Sequence, residues 1–206
     1  MIEQRSDEWR LARLGKVTAS RMADVVARTK TGYGASRANY MAELLVERLT
    51  GKPTESYVSV AMQHGIDTED EARTAYTFFR DVEIRPEGFV QHPKIGASGA
   101  SPDGWAGDGL IEVKCPLSAT HVETLLGQDI SAKYLSQMQW QMACTGALWC
   151  DWCSYDPRMP AALRLFVKRV PRDDKRIAEL EAEVVKFLAE LDAKVAALNG
   201  LLAMAA

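Results

Sequence analysis

Ser101-Pro102-Asp103-Gly104, followed closely by Leu110-Ile111-Glu112-Val113-Lys114, is the stretch on which the fold turns. Ser-Pro-Asp-Gly reads as a turn that holds a carboxylate at a fixed place. Leu110 to Lys114 alternates apolar and polar residues as a strand does, which puts Glu112 and Lys114 on one face and Ile111 and Val113 on the other. If the segment ahead of Leu110 folds back as a hairpin partner, Asp103 reaches the Glu–Lys pair. Two converging carboxylates repel unless one is protonated or a cation sits between them. An all-oxygen set of this kind suits Mg²⁺ or Mn²⁺, and a neighbouring lysine can position a water or help to deprotonate it. Those are the parts needed for metal-assisted phosphodiester hydrolysis. Glu-x-Lys alone is far more often an exposed ion pair on a surface hairpin. The alternating apolar face, the fixed turn and a spacing from Asp103 to Glu112 that suits two adjacent strands favour the site.

Working outward, the 206 residues suit one domain, 1–206, with a sizeable core. The composition is that of an ordinary soluble globular protein. No apolar run approaches a membrane span, and Met1-Ile2-Glu3-Gln4-Arg5 does not read as a signal peptide, so a cytoplasmic location is expected. The net charge of −3 does not advertise a nucleic-acid binder. Its distribution is more informative. Arg5, Arg10, Arg13, Lys16, Arg21, Arg28, Lys30 and Arg37 give the N-terminal region a basic excess, whereas the C-terminal segment is acid-rich. A solvated mixture of charges is the plainer reading of the same composition. Cys144, Cys150 and Cys153 are spaced like the cluster ligands of some iron–sulfur nucleases. On the strand expected over Trp149 to Tyr155, however, Cys150 and Cys153 face opposite sides, and no early cysteine completes a set. Four reduced, mostly buried thiols are expected instead.

Along the chain, Ser6 caps a helix over 5–13, with Asp7 and Glu8 in its first turn. Thr18-Ala19-Ser20 caps a second helix reaching about Arg28, a start suited to phosphate. On local sequence alone, Ser20 is merely a cap and Arg13 a surface cation. Thr29 to Ala35 reads as a mobile polar loop. Residues 36–50 form an amphipathic helix ending near Gly51-Lys52-Pro53. Tyr57 to Gly65 leads into a helix over 66–80 whose buried stripe is Ala72, Tyr76 and Phe79 or Phe78. His64 reads as packed or exposed rather than as a ligand. Val82 to Val90, Ile95 to Ala100 and Leu110 to Lys114 read as three antiparallel strands, with turns at Pro86-Glu87-Gly88, His92-Pro93-Lys94 and Gly104 to Gly109. Ser131 to Thr145 is a helix stopped by Gly146, with Gln137 and Gln141 stacked one turn apart. Cys150 to Ser154 and Leu163 to Val170 are further strands. A long helix over 173–199 buries Ile177, Leu180, Val184, Phe187, Leu188, Leu191 and Val195, packing on the domain or mediating assembly, and the tail Leu201 to Ala206 reads as disordered.

Asp-(x)n-Glu-x-Lys on a hairpin resembles the PD-(D/E)XK nuclease superfamily. Ala100 to Gly104, Glu112-Val113-Lys114-Cys115-Pro116, Trp9 to Ser20 and Tyr155-Asp156-Pro157-Arg158-Met159 together resemble the phage lambda exonuclease and YqaJ-type recombinase family, over residues from about 4 to about 190. The resemblance implies an α/β (α+β) core in which helices flank a mixed sheet. It implies that Asp103, Glu112, the Val113 carbonyl and Glu69 hold Mg²⁺, with Mn²⁺ as a substitute, beside Lys114 and Gln137. Glu69 is matched through Gly65-x-x-x-Glu69-x-x-Ala72-Arg73. Arg13, Ser20 and Ser101 match a pocket for the 5′-phosphate of a DNA end, Lys30 a basic residue that enters the groove, and Met62 an apolar wedge between terminal base pairs. For Met62, core filler is an equal reading. The activity implied is an ATP-independent, Mg²⁺-dependent 5′→3′ exonuclease on linear double-stranded DNA that leaves 3′ overhangs. The resemblance further implies a homotrimeric ring, a single-strand annealing protein as partner, and a phage or prophage origin in a bacterial cytoplasm. A PD-(D/E)XK endonuclease and a non-catalytic DNA-end binding module are the alternatives.

Overall fold

The computed structural model describes residues 3–54 and 59–205. Met1-Ile2, Ala206 and the start of the lead-in expected from Tyr57 lie outside the described residues. Helix α1 is Asp7–Arg13, and the Ser6 hydroxyl accepts the Trp9 N–H at 3.2 Å as an N-cap. After β1 (Val17–Thr18) come a 3₁₀ turn at Ala19–Arg21 and the short helix α2 (Met22–Val25), so the second helix stops well before Arg28. Thr18 occupies the cap position, but its side chain makes no capping bond. In place of the mobile loop, β2 (Arg28–Thr29) and β3 (Gly32–Tyr33) pair as a hairpin. Helix α3 is Ala35–Thr50, closed by Gly51 in the left-handed region, and α4 is Val60–Arg80, capped by Ser59.

The stretch Val82 to Val90 breaks at the expected turn, Pro86-Glu87-Gly88, and its two halves belong to different sheets. Its halves are β4 (Ile84–Arg85) and β5 (Val90–Gln91), parted by Pro86-Glu87-Gly88, where proline cannot continue a ladder. Next come β6 (Ser98–Ala100), β7 (Gly104–Ala106) and β8 (Gly109–Lys114). Most of the expected turn from Gly104 to Gly109 is therefore strand. Helix α5 (Ser118–Leu125) has no counterpart in the sequence reading, because it is short and carries little apolar periodicity. Helix α6 (Ala132–Thr145), β9 (Trp149–Tyr155), a 3₁₀ turn at Ala161–Leu163 and β10 (Leu165–Pro171) follow. Helix α7 spans Asp174–Ala205 and includes most of the tail expected to be disordered.

The main sheet has the order β10-β9-β8-β7-β4, with β8 and β9 parallel and the other pairs antiparallel. A second sheet, β1-β6-β5, pairs β6 parallel to β1, so the three central strands are not one antiparallel run. Side chains of the main sheet alternate as a strand requires. Ile111, Val113, Cys153 and Tyr155 pack with Ala72 and Tyr76 of α4, whereas Leu110, Cys150 and Trp152 pack with Met138 and Met142 of α6. Cys150 and Cys153 thus sit in opposite cores, and all four thiols are free and buried. The buried stripe of α4 is Thr68, Ala72 and Tyr76, while Phe78 is 91% and Phe79 61% exposed. At the next step of that stripe stands Arg80, whose guanidinium lies 3.6 Å from the buried Asp151. A third core joins α2, α3 and α6 to α7 through Leu180, Val184, Phe187 and Leu191, so α7 packs on the body of the chain.

Candidate active site

Strand β8 has two unlike faces. Glu112 and Lys114 lie on the α6 side, where an apolar strand face would otherwise meet an apolar helix. Glu112 is 1% exposed. Its carboxylate is answered by three donors. Gln137 reaches Oε1 and Gln141 reaches Oε2, each at 2.6 Å, and the Lys114 ammonium pairs with Oε1. Gln137 and Gln141 are one helical turn apart on α6, and both are buried. The stacking of these two glutamines is visible in the sequence; the role of Gln141 in holding Glu112 is not.

Asp103 precedes β7 directly, and the β7–β8 pairing brings it back to β8. Its Oδ2 accepts the Val113 N–H at 2.7 Å. Asp103 and Lys114 are half-buried, and Asp103 lines a crevice of about 450 Å³ with Arg5, Glu69 and Arg73. Burial first, and then the charge of Glu112, push Asp103 up to about 8. Burial pulls Lys114 down, but Glu112 and Asp103 outweigh it and leave the ammonium held above its ordinary value. The raised Asp103 records the repulsion anticipated from the sequence, and an oxygen-only donor set of this kind fits a hard divalent cation. Asp103, Glu112 and the Val113 carbonyl are the groups available to hold it.

Glu69, on α4, is placed differently. It pairs with Arg73 at 2.7 Å and with Arg5. Burial raises its pKa, yet the two guanidinium groups more than offset this and hold it below the ordinary range. Among the described residues, no three Asp, Glu, His or Cys side chains stand together as a metal-ligand group. Glu69 thus makes its direct contacts to arginines, while its charge still reaches Asp103 across the crevice that both line. Arg73 also donates to the Asp103 carbonyl, and the Gln4 amide donates to the Pro102 carbonyl at 2.7 Å. Arg73 stands in the sequence reading only as the last residue of the pattern Gly65-x-x-x-Glu69-x-x-Ala72-Arg73; the contacts of Gln4 and Arg5 carry no local signal.

Ser101 lies two residues before Asp103, and its hydroxyl accepts both the Trp9 indole N–H at 2.9 Å and Arg13 Nη1 at 3.1 Å. Arg13 stacks over the Trp9 ring, 4.1 Å from its centroid. Burial lowers the pKa of Arg13, and among the described residues no carboxylate pairs with it. A desolvated guanidinium without a counter-ion is a site for an anion. The adjoining cleft, about 730 Å³, is lined by Arg13, Lys16, Ser20 and Met62 among others. Ser20 is exposed there, 3.4 Å from the Thr18 hydroxyl. Met62 is 53% exposed in the cleft wall, so it is not core filler.

Lys30 is exposed at the tip of the β2–β3 hairpin. That hairpin is fastened to α7, since Glu183 accepts Arg28 at 2.5 Å and the Tyr33 hydroxyl at 2.8 Å. The N-terminal basic excess is therefore largely spent inside the molecule. Arg37 pairs with Glu190 at 2.7 Å, Arg48 with Asp192, and Arg21 with Asp24 at 2.6 Å and Glu43 at 2.7 Å. Arg13 and Lys16, which make no such pair among the described residues, face the cleft.

The profile of the YqaJ-like viral recombinase domain matches residues 8–148. Among curated proteins nothing matches. The crystal structure of LHK-Exo, an alkaline exonuclease from Laribacter hongkongensis, is 49% identical, with a TM-score of 0.90 over 98% of this chain and 100% of that one. LHK-Exo in complex with dAMP gives 50% identity and a TM-score of 0.91 over the same shares, 98% and 100%. A phage-related exonuclease of Haemophilus somnus 129PT, 14% identical, has a TM-score of 0.70 over 89% of this chain and 96% of that one, a likeness of fold. The mixed sheet flanked by helices is thus of the PD-(D/E)XK type, and the chain belongs to the YqaJ-like viral recombinase family, of the lambda exonuclease type.

Proposed function

We propose that this protein is a Mg²⁺-dependent, ATP-independent deoxyribonuclease that digests the 5′-ended strand of linear double-stranded DNA and leaves 3′ overhangs. The observation that carries this reading is the short link between two sites. Ser101, in the anion pocket with Arg13, is two residues from Asp103, in the carboxylate pair. A strand whose 5′-phosphate rests on Arg13 and the Ser101 and Ser20 hydroxyls would present its next phosphodiester to Asp103, Glu112 and Lys114. The kinship with an alkaline exonuclease supports the same reading.

When bound, the cation supplies Lewis-acid stabilisation of the charge that develops on the phosphate. Asp103, Glu112 and the Val113 carbonyl would hold it. Gln137 and Gln141 fix both oxygens of Glu112, so that ligand is set before substrate arrives. Once the carboxylates are committed to a cation, Lys114 is left to hold the attacking water. In the metal-free protein Glu112 and Asp103 hold its ammonium above its ordinary value, so there it is a hydrogen-bond donor rather than a free base. Glu69 would serve through Arg73 and Arg5, or through water, on the far side of Asp103. Met62, exposed in the cleft wall, would press on the terminal base pair, and Lys30 would reach the duplex from its hairpin.

The family resemblance supports a homotrimeric ring that acts with a single-strand annealing protein, in the cytoplasm of a phage-bearing bacterium. No described helix is long and apolar enough to cross a membrane. The test uses linear duplex labelled separately at each end, a covalently closed circle, and Mg²⁺ or chelator. Mg²⁺-dependent loss of the 5′-phosphorylated strand with the circle intact is expected. Cutting of the circle would point to an endonuclease, and tight end binding without hydrolysis to a non-catalytic module.

A further inference from the structure

Tyr155-Asp156-Pro157-Arg158-Met159, at the end of β9, has no part in the chemistry above. Its central carboxylate is nonetheless committed to one neighbour. Asp156 is 0% exposed. Its Oδ1 accepts the Arg158 backbone N–H at 3.0 Å and Nε at 2.7 Å, and its Oδ2 accepts Nη2 at 3.1 Å. The Ser118 hydroxyl supplies a further bond. Arg158 itself is 47% exposed. Desolvating a carboxylate to meet a cation that stays in water is a poor source of stability. What the arrangement does achieve is to fix the plane and direction of one guanidinium.

The direction is informative. Nη2 stands 3.5 Å from the Pro116 carbonyl, in the turn just after Lys114, and 3.4 Å from His64 Nε2 in the first turns of α4. The same helix carries Met62 in the wall of the cleft and Glu69 beside Asp103. Nη1 has no partner among the described residues, and Asp156 is the one carboxylate that pairs with Arg158 there. A guanidinium whose Nε and Nη2 are held by protein groups, with Nη1 left to donate, suits a phosphate oxygen.

We infer that Arg158 contacts a backbone phosphate of the DNA alongside the active-site crevice, held in place by Asp156. The contact is independent of base sequence and separate from the 5′-end pocket. This inference rests on the nuclease reading.

The experiment is fluorescence anisotropy on blunt duplex with 5′-phosphate or 5′-hydroxyl ends, over a range of salt, with Ca²⁺ replacing Mg²⁺ so that binding is read without turnover. Arg158→Gln should weaken binding about tenfold and lower the slope of log affinity against log salt by about one. Its preference for 5′-phosphate over 5′-hydroxyl ends should stay that of wild type, because the contact lies away from the end. Arg158→Lys keeps the charge without the fork, so it should retain the wild-type slope at intermediate affinity. Arg158→Gln leaves the buried Asp156 carboxylate without its cation and should lower the melting temperature, whereas Arg158→Lys keeps a cation there and should melt closer to wild type, so binding is read at a temperature where both variants are folded. Wild-type affinity and slope in Arg158→Gln would overturn the inference while leaving the nuclease reading in place. A wild-type protein that binds no duplex would overturn both.

Discussion

Lys114 and Glu112 are partners in the metal-free protein and would become separate agents in the loaded one. Lys114→Ala should cut the hydrolysis rate roughly 10²–10⁴-fold, with end binding kept; intact turnover would remove the lysine from the mechanism. Arg13→Ala should lose most discrimination between 5′-phosphate and 5′-hydroxyl ends, measured as the ratio of initial rates on the two substrates. An unchanged ratio would detach Arg13 from the end pocket. Asp103 gives a pH dependence of definite sign. It sits at about 8 without a cation, against an ordinary 3.8, so the folded protein binds this proton more tightly than the unfolded chain does. Metal-free stability should therefore fall as pH rises from 3.8 through about 8. A divalent cation that displaces the proton should bind more tightly as pH climbs and level off above about 8. Calorimetry in buffers of different ionisation enthalpy would read the displaced proton; none released at pH 7 would contradict the assignment of Asp103 as a ligand.

At the level of elements, β7 and β8 show what sequence does and does not display. The alternation of Leu110 to Lys114 set the strand, its faces and the approach of Asp103. The extent of β7 stayed hidden because Gly104-Trp105-Ala106 has the composition of a loop. The structure explains those glycines. At Gly104, with φ of +154°, an added Cβ would stand 2.6 Å from the Ile84 side chain and 2.9 Å from the Arg85 carbonyl. At Gly109 it would fall 2.1 Å from the Trp149 ring. Gly109→Ala should consequently destabilise the fold by about 1–3 kcal/mol, read in urea titration; an unchanged midpoint would show that Trp149 moves aside freely. Gln141 illustrates a second limit. Its spacing from Gln137 was visible, but that both amides point inward at one carboxylate follows from the packing of α6 on β8. Helix α5, and the splitting of Val82 to Val90 between two sheets, depend on contacts between segments distant in sequence. The extra reach of α7 beyond Asn199 reflects good helix formers that carry no buried stripe.

For the molecule as a whole, net charge is a poor guide to where nucleic acid would lie. The arginines of the first 50 residues are largely neutralised by α7 and by near neighbours, which leaves Arg13 and Lys16 at the cleft. Binding to duplex ends should still weaken steeply as salt rises, because phosphate contacts release counterions whatever the total charge. Affinity that is flat between low and moderate salt would argue against a phosphate-led interface. Native mass spectrometry, with a trimer expected, addresses the assembly. Finally, Ser101 and Asp103 are joined by two peptide bonds, so the gap between holding an end and cutting beyond it cannot stretch with any hinge. The protein would thus carry a ruler, with its step length fixed in covalent structure. Inserting one residue between Pro102 and Asp103 should change the size of the fragment released before it changes the affinity for the end.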